Sequence, residues 1–240
     1  MRKRILMIQR GEESLGVSAD IASYYSFFTS PIGGGWYHDE IEILRNTDRR
    51  RFFNAIDEVD RIGYDYFIVI FSGHGYEASD GTTLAINKYE RISIRDLRGV
   101  SPRQVIIADC SRSYIPVPNI APTPTMFSIN RGLLREAYEN QILYSAPQEI
   151  ILYACDEGET AGGTYAGGTY SQHLIFAARM ASTDFASPFV SVPYAHCKAV
   201  SLMQTSPRMR QHPQISQSAC LPGRHIPFGV NSNHWMRCDY

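Results

Sequence analysis

The sequence lacks an excess of charge of either sign. It contains 23 Lys and Arg residues against 24 Asp and Glu residues, which gives a formal net charge of -1. A chain balanced in this way offers no long-range electrostatic attraction to nucleic acid or to an anionic membrane. We therefore expect no nucleic-acid partner and no membrane partner, and any ligand must be inferred from a local site.

Long apolar runs and paired cysteines are also missing. No run approaches the ~20 apolar residues needed to cross a bilayer. The opening MRKRILMIQRG has too short an apolar stretch for a secretory signal, so we interpret it as a first strand. The five cysteines stand at irregular spacing without a CxxC pair. This pattern argues against a disulfide framework and favours a reducing, cytoplasmic environment.

Several common site motifs are absent as well. There is no G-x-S-x-G nucleophile elbow, and the glycine-rich stretches lack the lysine of a phosphate-binding loop. Histidines and cysteines are frequent within residues 196–238, but their spacings match none of the usual zinc-ligand pairs. We therefore expect neither a metal nor another cofactor.

What the chain does contain is an alternation of apolar strands with helices. Strand patterns cover 4–8, 40–44, 66–71, 103–110 and 149–155, and helix patterns cover 47–63, 132–143 and 170–181. Strands that are apolar throughout are typical of parallel sheets buried on both faces. The order predicts an α/β fold, with an about six-stranded, mostly parallel sheet and helices on both faces. The length of 240 residues fits a single domain over 1–240.

Three stretches interrupt this alternation. Residues 80–94 have the pattern of a small antiparallel hairpin. Residues 111–132 carry four prolines and no clear period, which predicts a long exposed loop. Residues 154–170 are rich in glycine and contain AGGTY twice. We expect this last stretch to form no element of its own and to be either mobile or shaped by a ligand.

Reactive side chains gather where the predicted strands end. SGHG at 72–75 ends one strand, DC at 109–110 ends the next, and CDE at 155–157 follows the strand after that. In open α/β sheets, ligands bind beyond the carboxyl ends of the strands. This edge of the sheet is therefore the candidate site.

His74 and Cys110 suggest a catalytic pair at that edge. Neighbouring strands lie ~5 Å apart, so an imidazole and a thiol at adjacent strand ends come within reach of each other. A thiol beside a base is a nucleophile, and the backbone N–H groups of Gly75 and Cys110 would bind an oxyanion. The alternative is a buried cysteine beside a turn histidine, since free cysteine is among the most buried residue types. The flanking glycines and the long loop after Cys110 favour catalysis.

The same residues resemble a known family. FIVIFSGHGYE followed by QVIIADCSRS is similar to the histidine and cysteine motifs of the caspase-like cysteine peptidases, particularly the metacaspase and prokaryotic caspase-homologue branch. Four further stretches are similar to segments of that family in the same order: 14–28, 153–179, 209–216 and 225–231. The resemblance implies a caspase-like three-layer sandwich and an endopeptidase acting on protein or peptide substrates.

The resemblance also implies roles for individual residues. It makes His74 the general acid and base and Cys110 the nucleophile. It places Ser72 near the wall of the substrate pocket and Asp20 inside that pocket, which receives the side chain before the scissile bond. Carboxylates there would pair with arginine or lysine and repel aspartate, so we expect cleavage after basic residues.

The remaining pocket acids are less sharply defined. Asp156 or Glu157 is expected to approach the pocket from the glycine-rich loop. Metacaspases carry a D-x-C-H-S-G run, whereas this chain has Ala108-Asp109-Cys110-Ser111-Arg112. This departure either removes one pocket acid or moves it to Asp109. The spacing of 36 residues from His74 to Cys110 is shorter than the ~50 of caspases.

Two further hypotheses concern regulation and activity. The resemblance implies a latent form that is opened by processing, by an activating protein or by a ligand, and self-cleavage after Arg131 in the proline-rich loop is one route. The alternative to an enzyme is a catalytically weak or inactive caspase-like module that binds a partner. The unusual sequence around Cys110 favours that alternative, and the retained His74 and Cys110 argue against it.

Overall fold

The structure is a computed structural model that describes residues 1–11, 15–79, 81–111, 131–181, 187–205 and 211–236. Its strands are β1 (Lys3–Gln9), β2 (Ile41–Arg45), β3 (Tyr66–Ala78), β4 (Gly81–Ala85), β5 (Arg91–Ser93), β6 (Arg103–Ser111), β7 (Gln148–Tyr153), β8 (Gly163–Thr164), β9 (Gly167–Gly168), β10 (Phe189–Ser191), β11 (Gln214–Gln217) and β12 (Pro227–Val230). Its α-helices are α1 (Leu15–Thr29), α2 (Arg49–Ile62), α3 (Arg131–Tyr144), α4 (Thr169–Ala181), α5 (Val192–Gln204) and α6 (Ser232–Met236).

The central sheet has the strand order β11-β7-β6-β3-β1-β2. All neighbours pair in parallel except β11, which runs antiparallel to β7 at the edge. β3 continues beyond the sheet and pairs with β4, which forms a hairpin with β5. The predicted α/β fold with an about six-stranded, mostly parallel sheet is confirmed, and so is the hairpin predicted for residues 80–94.

Strand alternation divides the core into two faces. Ile68 and Ile70 of β3 pack with α1, α3, α4 and α5 on one face of the sheet, which we call the α1 face. Val69 and Phe71 pack with α2 on the opposite face, which we call the α2 face. Successive residues of a strand point to opposite faces, so a strand covered on both sides is apolar throughout. This is why the run over residues 66–71 lacks polar positions.

The elements that the sequence did not predict lie on the α1 face. Residues 15–29 form a helix, and so do residues 192–204. The glycine-rich stretch 154–170, expected to form no element, contains the β8–β9 hairpin and the first two residues of α4. The loop expected over 111–132 lies outside the described residues except at its ends, which belong to β6 and α3. Among the described helices, none is long and apolar enough to cross a membrane.

Arg131 occupies the first residue of α3 rather than an open loop. Its Nη2 donates a hydrogen bond to the carbonyl oxygen of Thr29 at 2.7 Å. A peptide bond within a helical turn is a poor protease substrate, because cleavage requires an extended chain. Residues 112–130, which precede Arg131, lie outside the described residues, and self-cleavage after Arg131 stays a prediction.

Helix α2 shows how local signals in the sequence fix the ends of an element. Asp48 has extended backbone angles and its Oδ1 accepts a hydrogen bond from the Arg51 N–H at 2.7 Å, as an N-cap does. Gly63 ends the helix with φ of 69°, a left-handed conformation that suits glycine. Both caps were predicted from the sequence, with Thr47 as the alternative start.

We expect Asp48→Ala to destabilise the protein by about 1 kcal/mol, since an N-cap contributes on that scale. For a chain of this size the midpoint of thermal unfolding should fall by about 2–4 °C. The matched control is Asp57→Ala, which removes an exposed carboxylate from the middle of the same helix. An equal loss in both variants, measured by circular dichroism, would contradict the capping role.

Candidate functional site

The register of β3 and β6 brings the predicted residues to one edge of the sheet. Its last three pairs join Ser72 to Asp109, Gly73 to Cys110, and His74 to Ser111. The two strands are parallel neighbours, so their carboxyl ends lie side by side. This arrangement confirms that the strand ends meet, and it shows which residues stand opposite one another.

Asp20 enters this edge from α1. Its Oδ2 accepts a hydrogen bond from Ser72 Oγ at 2.7 Å, and its Oδ1 accepts one from the Gly168 N–H at 2.7 Å. The residue is 3% exposed. The structure therefore brings the predicted pocket residues Asp20 and Ser72 into direct contact.

Asp109 lies beside Asp20 on the same face of the sheet. Its Oδ2 accepts hydrogen bonds from the Ser171 N–H at 3.2 Å and from Ser171 Oγ at 2.5 Å. Asp109 is 4% exposed, and the Ser171 hydroxyl also bonds to the phenol of Tyr24 at 2.9 Å. We call Asp20 and Asp109 the acid pair. Their hydrogen-bond donors are all neutral, and within the described residues neither carboxylate forms a salt bridge.

Burial raises the pKa of both members of the acid pair. It raises the pKa of Asp20 well above its usual value, and the negative charge of Asp109 raises it further. Burial likewise raises the pKa of Asp109, while the hydrogen bonds from Ser171 oppose the shift. Two adjacent carboxylates out of water resist ionising together. A cation placed between them would allow both carboxylates to ionise.

The β8–β9 hairpin covers the acid pair. A Cβ atom at Gly167 would overlap Asp20 Oδ1, and one at Gly168 would overlap the carboxylate of Asp109. Gly167 also has a φ of 124°, which is unfavourable for other residues. The glycines of the repeated AGGTY therefore permit close contact between the hairpin and the carboxylates.

Cys110 and His74 occupy different surroundings. Cys110 is 4% exposed and belongs to the core of the α2 face, whereas His74 is exposed. A Cβ atom at Gly75 would lie 2.8 Å from Cys110 Sγ, so Gly75 allows the thiol to pack beneath the end of β3. The acid pair lies on the opposite, α1 face. The catalytic roles of His74 and Cys110, and the oxyanion role of the Gly75 and Cys110 N–H groups, stay predictions.

Asp156 and Glu157 lie in an exposed turn. Asp156 Oδ1 accepts a hydrogen bond from the Glu157 N–H at 2.8 Å. The same turn includes Glu159, whose Oε1 bonds to Nδ1 of His212 at 2.5 Å. A contribution of Asp156 or Glu157 to the substrate pocket stays a prediction.

Sequence reasoning missed Ser171 and Gly168 as donors to the acid pair. Gly168 lies in the glycine-rich stretch 154–170, and Ser171 lies at the start of the helix predicted over 170–181, but neither was predicted as a donor to a carboxylate. The available signal for a hydrogen-bond donor was a serine in the first turn of a predicted apolar helix. Among the described residues, no group of three His, Cys, Asp or Glu side chains is arranged to hold a metal ion.

Comparisons with known proteins agree with this fold. The family model of the caspase domain, a peptidase family, matches residues 12–221. The structure is similar to the crystal structure of protein GSU0716 from Geobacter sulfurreducens, with a TM-score of 0.59 and 13% identity over 96% of this chain and 99% of that chain. It is also similar to the Drosophila initiator caspase Dronc, with a TM-score of 0.57 and 12% identity over 96% of this chain and 83% of that chain.

No curated protein matches the sequence. The two solved structures are too distant in sequence to show more than a shared fold. The family model, in contrast, spans most of the chain and covers both strand ends at the site. The chain therefore belongs to the caspase-domain family, whose members are cysteine peptidases.

Proposed function

We propose that this protein is an endopeptidase that cleaves protein or peptide substrates after arginine or lysine. The observation that carries the proposal is the acid pair, two buried carboxylates whose hydrogen-bond donors among the described residues are all neutral groups. Such a pair is costly to bury, because each charge disfavours the other. A guanidinium or ammonium group from a substrate would supply the missing positive charge.

The position of the acid pair supports its role as a substrate pocket. Asp109 lies two residues before the end of β6, and Ser72 lies two residues before His74 on β3. A side chain held by these residues would leave its own carbonyl carbon beside the strand ends. An aspartate side chain in the same place would meet two like charges, which disfavours it strongly.

The proposed reaction uses the strand ends for chemistry. The Cys110 thiol, near the end of β6, gives its proton to His74, and its sulfur attacks the peptide carbonyl carbon. His74 then protonates the leaving amine, and water hydrolyses the acyl-enzyme with His74 as the base. His74 suits this role because it is exposed on β3 immediately after the buried run Tyr66–Gly73.

The covered acid pair fits a regulated enzyme. The Gly168 N–H and the Ser171 hydroxyl occupy acceptor positions that a basic side chain would take. Substrate binding therefore requires the β8–β9 hairpin to move. An activating protein or ligand that displaces the hairpin would convert the closed form into an open one.

A second candidate function is a caspase-like module that binds a partner without cleaving it. The burial of Cys110 beneath Gly75 favours this candidate, since a thiol held in an apolar core is unreactive. Both candidates predict binding of basic peptides, and only the first predicts their cleavage.

Peptides that differ only in arginine, lysine or aspartate before the scissile bond test the proposed specificity. We expect hydrolysis of the arginine and lysine peptides and none of the aspartate peptide, because the acid pair repels the latter. His74→Ala should lower kcat/KM for the arginine peptide by ~10²–10⁴-fold, the usual contribution of a general acid or base. Faster cleavage after aspartate would contradict the proposal, and unchanged activity in a folded His74→Ala variant would remove His74 from the reaction.

The raised pKa values predict that the acid pair makes stability depend on pH. An unfolded aspartate has a pKa of ~3.9, whereas burial raises the folded pKa of Asp20 and Asp109. The folded chain therefore binds more protons than the unfolded chain. The contribution of the pair to stability is fully present below pH ~4 and is lost as the pH rises through the folded pKa values.

Asp20→Asn should reduce this dependence, because it removes one of the two charges and keeps an oxygen acceptor for Gly168 N–H. Urea unfolding should show the variant more stable than the wild type at pH 8, by about 1 kcal/mol or more, and show a smaller difference at pH 4–5. Asp57→Asn, which changes an exposed carboxylate, serves as the control. A variant less stable than the wild type at pH 8 would contradict the electrostatic account.

A further inference from the structure

The strand that carries His74 continues beyond the central sheet. β3 pairs with β6 as far as His74, and the residues that follow pair with β4. β4 in turn pairs with β5. We call this small antiparallel sheet, formed by residues 75–78, 81–85 and 91–93, the β3–β5 extension. Because it follows His74 along β3, it lies on the side of His74 away from the acid pair.

One side of the β3–β5 extension packs on the core, and the other faces solvent. Leu84 pairs with Ile92, and both are buried in the core of the α2 face. The alternate positions point the other way. Tyr76, which pairs with Thr83, is 47% exposed, and Arg91, one residue before Ile92, is exposed as well. We call this solvent side the outer face.

His74 shares the outer face. It stands two residues before Tyr76 on β3, and residues two apart in a strand share a face. Ser72, which bonds to Asp20 of the acid pair, stands two residues before His74 on the same side. The pocket residue Ser72, the proposed general acid His74 and the outer-face residue Tyr76 therefore follow one another at intervals of ~7 Å.

Arginine side chains make the outer face basic. Arg91 extends over the ring of Tyr76, with its Cζ 6.0 Å from the ring centroid. Arg95 reaches back towards the start of β4, where its Nε lies 4.0 Å from the position that a Gly81 Cβ would take. Arg49 of α2 supports β5 from below, since its Nη1 donates a hydrogen bond to the Arg91 carbonyl oxygen at 2.5 Å.

Within the described part of the chain, neither Arg91 nor Arg95 forms a salt bridge; the salt bridges there belong to other residues. The carboxylate next to Arg91 in the sequence, that of Glu90, bonds elsewhere. Its Oε2 accepts hydrogen bonds from the Arg49 N–H at 3.3 Å and from Asn87 Nδ2 at 2.8 Å. The outer face therefore suits a carboxylate from another molecule.

We propose that the outer face binds the part of the substrate that follows the scissile bond, and that Arg91 selects an acidic residue there. This inference rests on the proposed function, in which the acid pair takes the residue before the bond. His74 protonates the leaving nitrogen, so the segment that begins with this nitrogen starts beside His74. The acid pair occupies one side of His74, and the segment leads away on the other side, over Tyr76 towards Arg91.

The spacing of an extended peptide indicates which residues reach Arg91. Tyr76 lies ~7 Å beyond His74 along β3, and an extended substrate advances ~3.3 Å per residue. The second and third residues after the scissile bond therefore lie beside Tyr76 and Arg91. A carboxylate in these positions would pair with the guanidinium, whereas an ammonium group would be repelled.

The acid pair and the outer face select opposite charges. A peptide with a basic residue before the bond and acidic residues after it is complementary to both, and a peptide with the reverse order meets like charges at both. The net charge of -1 is a sum over the whole chain and does not reveal this local separation.

Internally quenched peptides with arginine before the scissile bond test this inference. The second and third residues after the bond are both Glu, both Gln or both Lys. We expect kcat/KM to fall in that order, by ~2–5-fold at each step, as for partly exposed ion pairs. Added salt should weaken the preference, because exposed charges are screened. Equal rates for the three peptides, or fastest cleavage of the Lys peptide, would overturn the inference.

A charge reversal at Arg91 tests whether this residue carries the preference. Arg91→Glu should invert the order, so that the Lys peptide is cut faster than the Glu peptide, and Arg91→Gln should reduce the preference for Glu. The matched control is Arg61→Glu, which makes the same charge change at an exposed site near the opposite end of α2 and should keep the wild-type order. If either folded Arg91 variant keeps the full wild-type preference, Arg91 does not select the acidic residue.

Binding measurements separate this inference from the proposed function. The Cys110→Ala variant of the full chain, which lacks the proposed nucleophile, is titrated with fluorescent forms of the three peptides, and binding is followed by anisotropy. If arginine peptides are cut at rates that do not depend on the residues after the bond, the peptidase proposal stands and this inference is wrong. If no peptide is cut, but the Glu peptide binds more tightly than the Lys peptide and Arg91→Glu reverses that order, the outer face stands as a binding surface and the proposed cleavage is wrong. Equal binding of all three peptides without cleavage would overturn both.

Discussion

The pairing of β3 with β6 is the constraint on which the site depends. Their register is held by apolar side chains on both faces of the sheet, with Val69 and Ile106 on one face and Ile70 and Ile107 on the other. A shift of one residue would turn every one of these apolar side chains to the opposite face of the sheet. The burial of both faces therefore fixes the register strongly. The residues that follow the buried part of each strand are therefore held in fixed positions relative to one another.

Burying the two carboxylates of the acid pair at this edge of the sheet costs folding free energy. Such a cost is typical of a binding site. Asp20 and Asp109 accept hydrogen bonds from donors on β3, α4 and the β8–β9 hairpin, so neither can turn away from the other. Their mutual repulsion lowers the stability of the closed form. Carboxylates with strongly shifted pKa values are frequent in functional sites, where ligand binding takes precedence over the stability of the fold.

The sequence predicted the parts of the fold that have a strong local signal. The apolar runs gave the parallel strands, and Asp48 and Gly63 gave the ends of α2. Helix α1 was missed because its buried residues, among them Ile21 and Tyr24, are interspersed with small residues that weaken the period. Ser171 is 62 residues from Asp109, so no local pattern could reveal their contact.

The assignment of the nucleophile rests on the sequence. Residue type alone favours Cys110, since a thiol ionises far more readily than a hydroxyl. The face of a strand, however, is decided by register. Gly73 packs on Arg10 and Phe71, and Gly75 packs on Cys110. The Cys110 thiol therefore packs against the strand that carries His74.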